Sequence, residues 1–542
     1  MRELTIEKPY LHLPVKNGAP PRLMRFVVEG REVREFSIEL ADAEPDFWVF
    51  ADVSTFRGKA LQIHADELPE GSPGVASIRQ SDDVPGADCL YQEEHRPQFH
   101  FSSRRGWNND PNGLVYYEGT YHLFYQHNPY GWSWGNMHWG HAVSTDLVHW
   151  AELPDALHPD EMGTMFSGSA VVDWNNTAGF QQGSERPIVL FYTAAGGENP
   201  ASEGRPFTQC IAYSTDAGQT FTKYAGNPVI PHLEGANRDP NVIWHEPTGR
   251  WVMALYLGER DEAHYHALFA SSDLRSWTKL SEVALADGGG ECPDLFELRV
   301  DGDQGKRKWV FSQASGHYLI GLCDGETFTP EVGPLRWQGD GSAAYAAQTF
   351  SDMPAEDGRR IQIAWLTQEL PGMPFNQLMT FPVELTLRTT DDGPRLFVNP
   401  IKEIELLHDQ RHAWENEMLA EGSANLLAEL HGDLFHLRAE FRVADAQEVG
   451  FIIRGLPVLY DAAKHQVTCG KASGALRPVE GKIRLEVLVD RASIELFGNG
   501  GETYLVAGMT PPDDNTSLEL VSKGGTATVT SLEVYELRSA WR

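Results

Sequence analysis

Three acidic residues stand in settings that suit nucleophilic and acid–base chemistry. Asp110 lies in Trp107-Asn108-Asn109-Asp110-Pro111-Asn112-Gly113, Asp239 in Asn237-Arg238-Asp239-Pro240-Asn241, and Glu291 in Gly288-Gly289-Gly290-Glu291-Cys292-Pro293. The proline after each aspartate has a fixed φ and no N–H, and it biases the residue before it toward extended backbone, so the carboxylate sits on a stiff segment that cannot continue into a helix. Asn112-Gly113 is a turn-forming pair. Residues 114–117 and 121–125 read as two strands around Glu118-Gly119, which puts Asp110 at a strand edge with Trp107 as a packing or sugar-stacking face. The glycines before Glu291 permit close substrate approach. Taken alone, Asn-Asp-Pro-Asn-Gly equally describes an ordinary Asx turn; the second Asp-Pro-Asn beside Arg238 and the third carboxylate favour the chemical reading.

Glycosidic cleavage needs one carboxylate to attack or activate water and one carboxylic acid to protonate the leaving oxygen, and the trio supplies these parts. Gln126, Trp132 and Trp134 in Gly131-Trp-Ser-Trp-Gly135, and Phe166-Ser167-Gly168-Ser169 fit a sugar pocket: aromatic faces match C–H faces, and amide, hydroxyl and guanidinium groups match hydroxyls. By type alone, Trp132 and Trp134 serve a core as well as a site. His138 and His141 lack a third ligand nearby and read as structural histidines, so no metal is expected.

Presenting three distant carboxylates to one another calls for a scaffold of many strands. The 542 residues, enough for two to four domains, include 15 Trp, 17 Tyr, 25 Phe, 51 Gly and 33 Pro, a composition that favours short strands joined by turns. The net charge of −33 opposes nucleic acid and anionic membranes and suits a neutral substrate. The five cysteines are scattered without a CxxC pair, which suggests neither a disulfide framework nor a zinc site. The N-terminus has no apolar signal-like region and no run approaches the ~20 apolar residues of a membrane span; a cytoplasmic protein is expected, or a secreted one if a leader has been trimmed.

In chain order, residues 1–94 show short alternating runs at 25–29, 35–40 and 47–53, expected to form a small β-sandwich closed by a Gly/Pro/Ser/Asp-rich linker over 67–88. Residues 95–400 carry a loose repeat, Ser144-Thr-Asp-Leu-Val-His-Trp150, Ser214-Thr-Asp-Ala-Gly-Gln-Thr-Phe221 and Ser271-Ser-Asp-Leu-Arg-Ser-Trp277, each after an apolar strand. The spacing, roughly 55 to 70 residues, fits one four-stranded blade per unit and about five blades. In such a propeller the innermost strands converge on a central channel, where one polar residue from each blade can meet the others. Residues 401–407 read as a linker, short helix or strand. Period-two runs at 434–441, 451–454, 483–490 and 493–497 predict a second sandwich over 401–542.

The ordered motifs at 107–113, 121–129, 139–150, 166–169, 238–240, 291–294 and 345–349, with Val489-Asp-Arg-Ala-Ser-Ile-Glu-Leu-Phe497 near the end, resemble glycoside hydrolase family 32, which holds invertases, levanases and inulinases. The resemblance covers the chain from about Arg96 onward. It implies a five-bladed propeller followed by a β-sandwich, with retaining hydrolysis of β-fructofuranosyl bonds in levan, inulin or sucrose and no cofactor. It further implies Asp110 as nucleophile, Glu291 as general acid/base and Asp239 as transition-state stabiliser, held ionised by Arg238, which also touches substrate, with Asn109, Gln126, Trp134, Phe166 and Ser167 lining the fructose subsite. The chain departs from the family where Asn108 replaces the usual methionine and where Ala343-Ala344 replaces an Asp-Phe pair, both on the side expected to face the leaving group. The segment 371–387 and the N-terminal sandwich resemble bacterial fructan-degrading members.

A fructosyltransferase on the same framework is the alternative, differing in whether water or a sugar hydroxyl resolves the fructosyl-enzyme. A non-catalytic carbohydrate-binding propeller would be expected to lack one of the three carboxylates. The partner expected is a fructose-containing sugar, and monomer and homodimer are both open.

Overall fold

The computed structural model describes residues 1–66, 68, 72–285, 288–510 and 515–541. The hairpin expected around Glu118-Gly119 forms from strands Gly106–Tyr117 and Thr120–Asn128, with φ of 43° and 91° at the turn residues, the left-handed pair of a two-residue type I′ turn. Two more antiparallel strands, His138–Ser144 and Ala151–Leu157, complete a blade. Among the described residues four further blades follow in chain order, opening on the innermost strands Thr164–Val172, Arg238–His245, Asp294–Arg299 and Ala344–Thr349. Each innermost strand packs against the next and the fifth against the first, so the ring is closed. Phe375 and Asn376 reinforce closure by pairing in parallel with Gly106 and Trp107.

The Ser-x-Asp repeat joins the third strand of a blade to its fourth. Ser144 Oγ accepts the N–H groups of Asp146 and Leu147, and Ser271 Oγ those of Asp273 and Leu274. The tryptophan that ends the unit donates back, from Trp150 Nε1 to the Leu147 carbonyl and from Trp277 Nε1 to that of Leu274. The fourth blade makes this connection without the serine, as Asp324 Oδ1 accepts the N–H groups of Glu326 and Thr327. That unit is therefore silent in the sequence repeat.

Ahead of the propeller, the sheet Arg2–Thr5, Ala60–Ala65, Arg22–Val28, Arg31–Ile38 faces the sheet Phe47–Asp52, Tyr10–Val15, Arg79–Ser81 across a core that includes Leu11, Leu13, Phe26, Val49 and Ile63. The expectation of a plain linker over 67–88 needs correction. Residues 79–81 pair with Tyr10, Leu11 and His12 as a third strand, because a polar triplet serves well on a sheet edge; Glu67 and residues 69–71 lie outside the described residues. After the propeller a short 3₁₀ helix, Lys402–Leu407, leads to a six-stranded and a five-stranded sheet. Their shared core holds Leu437, Phe441, Phe451, Val487 and Leu496, from the runs that alternate with period two.

The motif at 489–497 is where this C-terminal sandwich grips the propeller. Asp490 accepts the N–H groups of Gln98, Phe99 and His100, and the His100 ring lies 2.8 Å from both Asp490 and Glu495. Glu495 also accepts from the Phe381 N–H and the Tyr504 hydroxyl. All three charged side chains are fully buried. Burial pushes His100 toward neutrality, but the two carboxylates outweigh it and raise its pKa to about 9.

Candidate active site

The Asp-Pro dipeptides are neither turns nor free edges; each is a bulge in an innermost strand. Regular pairing breaks between Asn108 and Pro111, between Phe166 and Gly168, between Arg238 and Asn241 and between Tyr345 and Gln348. Proline cannot donate to the ladder, so Pro111 and Pro240 favour the break, and the extra residue re-aims its side chain toward the channel. Asn112-Gly113, expected as a turn, sits inside the first strand at a second irregularity, where Asn112 Oδ1 accepts the Gly168 N–H and ties the first blade to the second. Asp239, Cys292 and Ala346 have φ of 64°, 47° and 52°, left-handed backbone that costs of order 1–3 kcal/mol each and is held by the surrounding packing.

These bulges, with Glu291 just ahead of the fourth blade's inner strand, surround a cavity of about 280 Å³. Asn109, Asp110, Gln126, Trp134, Phe166, Ser167, Arg238, Asp239 and Glu291 all line it, joined by Tyr345 and Trp365. Asp110 Oδ1 accepts from Asn109 Nδ2 at 3.0 Å and Oδ2 from Ser167 Oγ at 2.6 Å. Asp239 Oδ2 accepts the Cys292 N–H at 3.0 Å, and the Asp239 N–H donates to Thr193 Oγ1. The Cys292 thiol lies between the two aspartates, 3.5 Å from Asp110 Oδ2 and 3.6 Å from Asp239 Oδ2. Glu291 Oε2 accepts from the Tyr345 hydroxyl at 2.7 Å and Oε1 from Arg238 Nη2 at 2.8 Å. Gln126 is buried, and its Nε2 has no hydrogen-bond partner among the described residues, which leaves a donor at the cavity wall for a ligand oxygen.

Burial raises Asp110 above its ordinary value, against the hydrogen bonds from Ser167 and Asn109. Burial likewise raises Asp239, to about 7; Arg238 opposes this, and Glu291 and Asp110 add to it by like-charge repulsion. Glu291 moves the other way: burial favours its neutral form, but the Tyr345 hydroxyl and Arg238 together hold it below its ordinary value. One expectation from the sequence is thereby corrected. Arg238 pairs with Glu291 at 2.8 Å and reaches Asp239 only at 3.8 Å, so its charge does not keep Asp239 readily ionised.

The glycines before Glu291 serve protein packing and not substrate approach. A Cβ on Gly290 would sit 2.5 Å from His264 and Tyr256, and one on Gly289 2.7 Å from the Tyr345 hydroxyl. Trp107 takes the packing alternative: its Nε1 orients Asn109, and its ring meets Trp365 edge-on. Trp132 and Trp134 divide, Trp132 packing on the N-terminal core and Trp134 lining the cavity with half its surface exposed. His138 contacts the Asn136 carbonyl and His141 lies 3.0 Å from His122, and burial lowers the pKa of both histidines well below the ordinary value. Asn108 is fully buried, its amide donating to the carbonyls of Gln377 and Asn376, and Ala343 pairs through its N–H with Val506 of the C-terminal sandwich.

Tyr345 was visible only as the head of the motif at 345–349, and Cys292 only as the neighbour of Glu291. Trp365 is the penultimate residue of the apolar strand Arg360–Leu366 and carries no local signal; ring closure alone brings it to the cavity.

Residues 100–400 match the model of the glycosyl hydrolases family 32 N-terminal domain, and 403–536 that of the family's C-terminal domain. The chain therefore belongs to glycosyl hydrolase family 32 and is a glycoside hydrolase. It is 41% identical over 496 residues to a levanase of Bacillus subtilis, covering 83% of this chain and 72% of that protein. It is 33% identical over 527 residues to an extracellular exo-inulinase of Aspergillus ficuum, covering 83% and 96%. The crystal structure of an exo-inulinase from Aspergillus awamori superposes with a TM-score of 0.75 at 32% identity, covering 83% of this chain and all of that one.

Proposed function

We propose that this protein is a retaining β-fructofuranosidase that releases terminal fructosyl units from fructans and sucrose, with Asp110 as nucleophile and Glu291 as general acid/base. The observation that carries the reading is the convergence of Asp110, Asp239 and Glu291 on one small cavity whose remaining lining is amide, hydroxyl, guanidinium and aromatic. At about 280 Å³ the cavity is just below the ~300–1,000 Å³ typical of ligand pockets, a size that suits one sugar unit. A cavity of that size suits release of single units from a chain end.

In the first step an Asp110 oxygen attacks the anomeric carbon, the glycosidic C–O bond breaks, and Glu291 gives its proton to the departing oxygen. Asn109 and Ser167 hold the two Asp110 oxygens in place for that attack. In the second step Glu291 takes a proton from water, whose oxygen attacks the same carbon and frees Asp110. Asp239, beside them, accepts hydrogen bonds from fructosyl hydroxyls that strengthen as positive charge develops on the ring.

Glu291 must hold a proton before it can act, yet in the empty site the Tyr345 hydroxyl and Arg238 favour its anion. Substrate hydroxyls that draw Arg238 away from Glu291 raise its proton affinity and bring it toward the protonated acid that the first step needs. The test is product analysis on levan, inulin and sucrose with wild type and Asp110→Asn. Free fructose from wild type and none from the variant supports the reading; larger oligosaccharides, dianhydrides or no product from wild type overturns it.

A further inference from the structure

The N-terminal sandwich precedes both family matches, yet it holds the loop that carries Trp134. That loop, residues 129–137, joins Thr120–Asn128 to His138–Ser144 in the first blade. Its first end enters the N-terminal core: Tyr130 is buried there and stacks on Phe36 at 3.7 Å between ring centroids. Its far end is latched to a sheet edge. Arg31–Ile38 is the outer strand of the four-stranded N-terminal sheet, and Asn136 takes up the free backbone groups of Ser37 on that edge. The Ser37 N–H donates to Asn136 Oδ1 at 2.8 Å, and Asn136 Nδ2 donates to the Ser37 carbonyl at 2.7 Å.

Between these anchors, Asn128 Nδ2 holds the Ser133 carbonyl and the Trp132 indole packs on the same N-terminal core. Trp134 itself has little support. It is 51% exposed and meets Phe166 edge-on at 5.9 Å. Its place over the cavity is therefore fixed by the backbone on either side of it: before it, Asn376 and Asn128 of the propeller hold the carbonyls of Trp132 and Ser133, and after it, Asn136 ties the chain to Ser37 and to Asn128.

We propose that the N-terminal sandwich is a positioning element for the sugar subsite, acting through the Asn136–Ser37 latch and the Tyr130–Phe36 stack to hold Trp134 against the bound fructosyl unit. This rests on the cavity being the fructosyl site. Asn136 and Phe36 are positioning residues; neither lines the cavity.

The test uses the full-length chain as wild type, Asn136→Ala, Phe36→Leu, Trp134→Ala and the double variant Asn136→Ala/Trp134→Ala. Hydrogen exchange over 129–137 should quicken in Asn136→Ala. Asn136→Ala removes the two hydrogen bonds to Ser37 and one to Asn128, and because Trp134 feels their loss only through the backbone, the KM for levan or inulin should rise about 3- to 10-fold, with a smaller change in kcat. The double variant should match Trp134→Ala, because the latch has nothing left to position. Unchanged exchange, an unchanged KM, or KM effects that multiply in the double variant would overturn the proposal. If Asn136→Ala fails to fold, Phe36→Leu must show the same pattern or the proposal fails. If wild type releases no fructose, the functional reading falls, while the exchange result still decides whether the latch holds the loop.

Discussion

Arg238 Nη2 lies 2.8 Å from Glu291 Oε1, while the nearest Arg238 contact to its chain neighbour Asp239 is 3.8 Å. Adjacency in sequence does not decide the pairing, because Asp239 sits at a bulge with left-handed backbone that turns its carboxylate toward the Cys292 N–H and away from the guanidinium. The two carboxyls thus shift in opposite directions, Glu291 toward its anion and Asp239 toward its neutral form.

Tyr345→Phe removes the hydroxyl that helps to hold Glu291 below its ordinary pKa. The Glu291 carboxyl then loses its proton at higher pH, so the inflection that Glu291 sets in kcat/KM should move upward. The pH profile of kcat/KM on sucrose checks this; a downward shift or none contradicts it.

Asp239→Asn should lower kcat far more than it raises KM, since its hydrogen bonds strengthen in the transition state. It should also stabilise the fold at pH 8. A carboxyl whose folded pKa is raised to about 7 binds its proton more tightly when folded, so wild type loses stability as pH climbs from the ordinary carboxylate range through about 7. The variant lacks that loss. Melting curves at pH 4.5 and 8 should therefore converge at the lower pH and favour the variant by a few degrees at the higher one.

His100→Gln leaves Asp490 and Glu495 buried without their cation, and should cost about 3–5 kcal/mol, the usual penalty for breaking a buried ion pair from one side. In wild type, the stability from the raised histidine pKa is fully present below about 6.5 and is lost as pH rises through about 9. Denaturant unfolding at pH 6 and pH 9 checks both: the difference between wild type and variant should shrink at the higher pH.

Much of this was legible in local pattern. Period-two runs marked the strands of both sandwiches, and Ser-x-Asp units marked the strand connections of three blades, since a serine oxygen accepting two backbone N–H groups needs only neighbouring residues. Asp-Pro signalled a backbone irregularity correctly, although it proved to be a strand bulge and not a turn. What stayed hidden depends on distant chain. Trp365 reaches the cavity only after the ring closes, the glycines before Glu291 answer to Tyr256 and His264, and Arg238 chooses its partner across two blades. Residues 79–81 looked like a linker because an edge strand needs little hydrophobicity of its own.

The central claim is that Asp110 forms the covalent bond and Glu291 handles the proton. In Glu291→Ala, a fructoside with a good leaving group should still complete the first step, since departure needs little protonation, while the second step stalls for want of a base. Rapid quenching followed by peptide mass spectrometry should then find one fructosyl unit on the peptide that contains Asp110, and azide should release it. No adduct, or an adduct on the peptide that contains Asp239, would contradict the account.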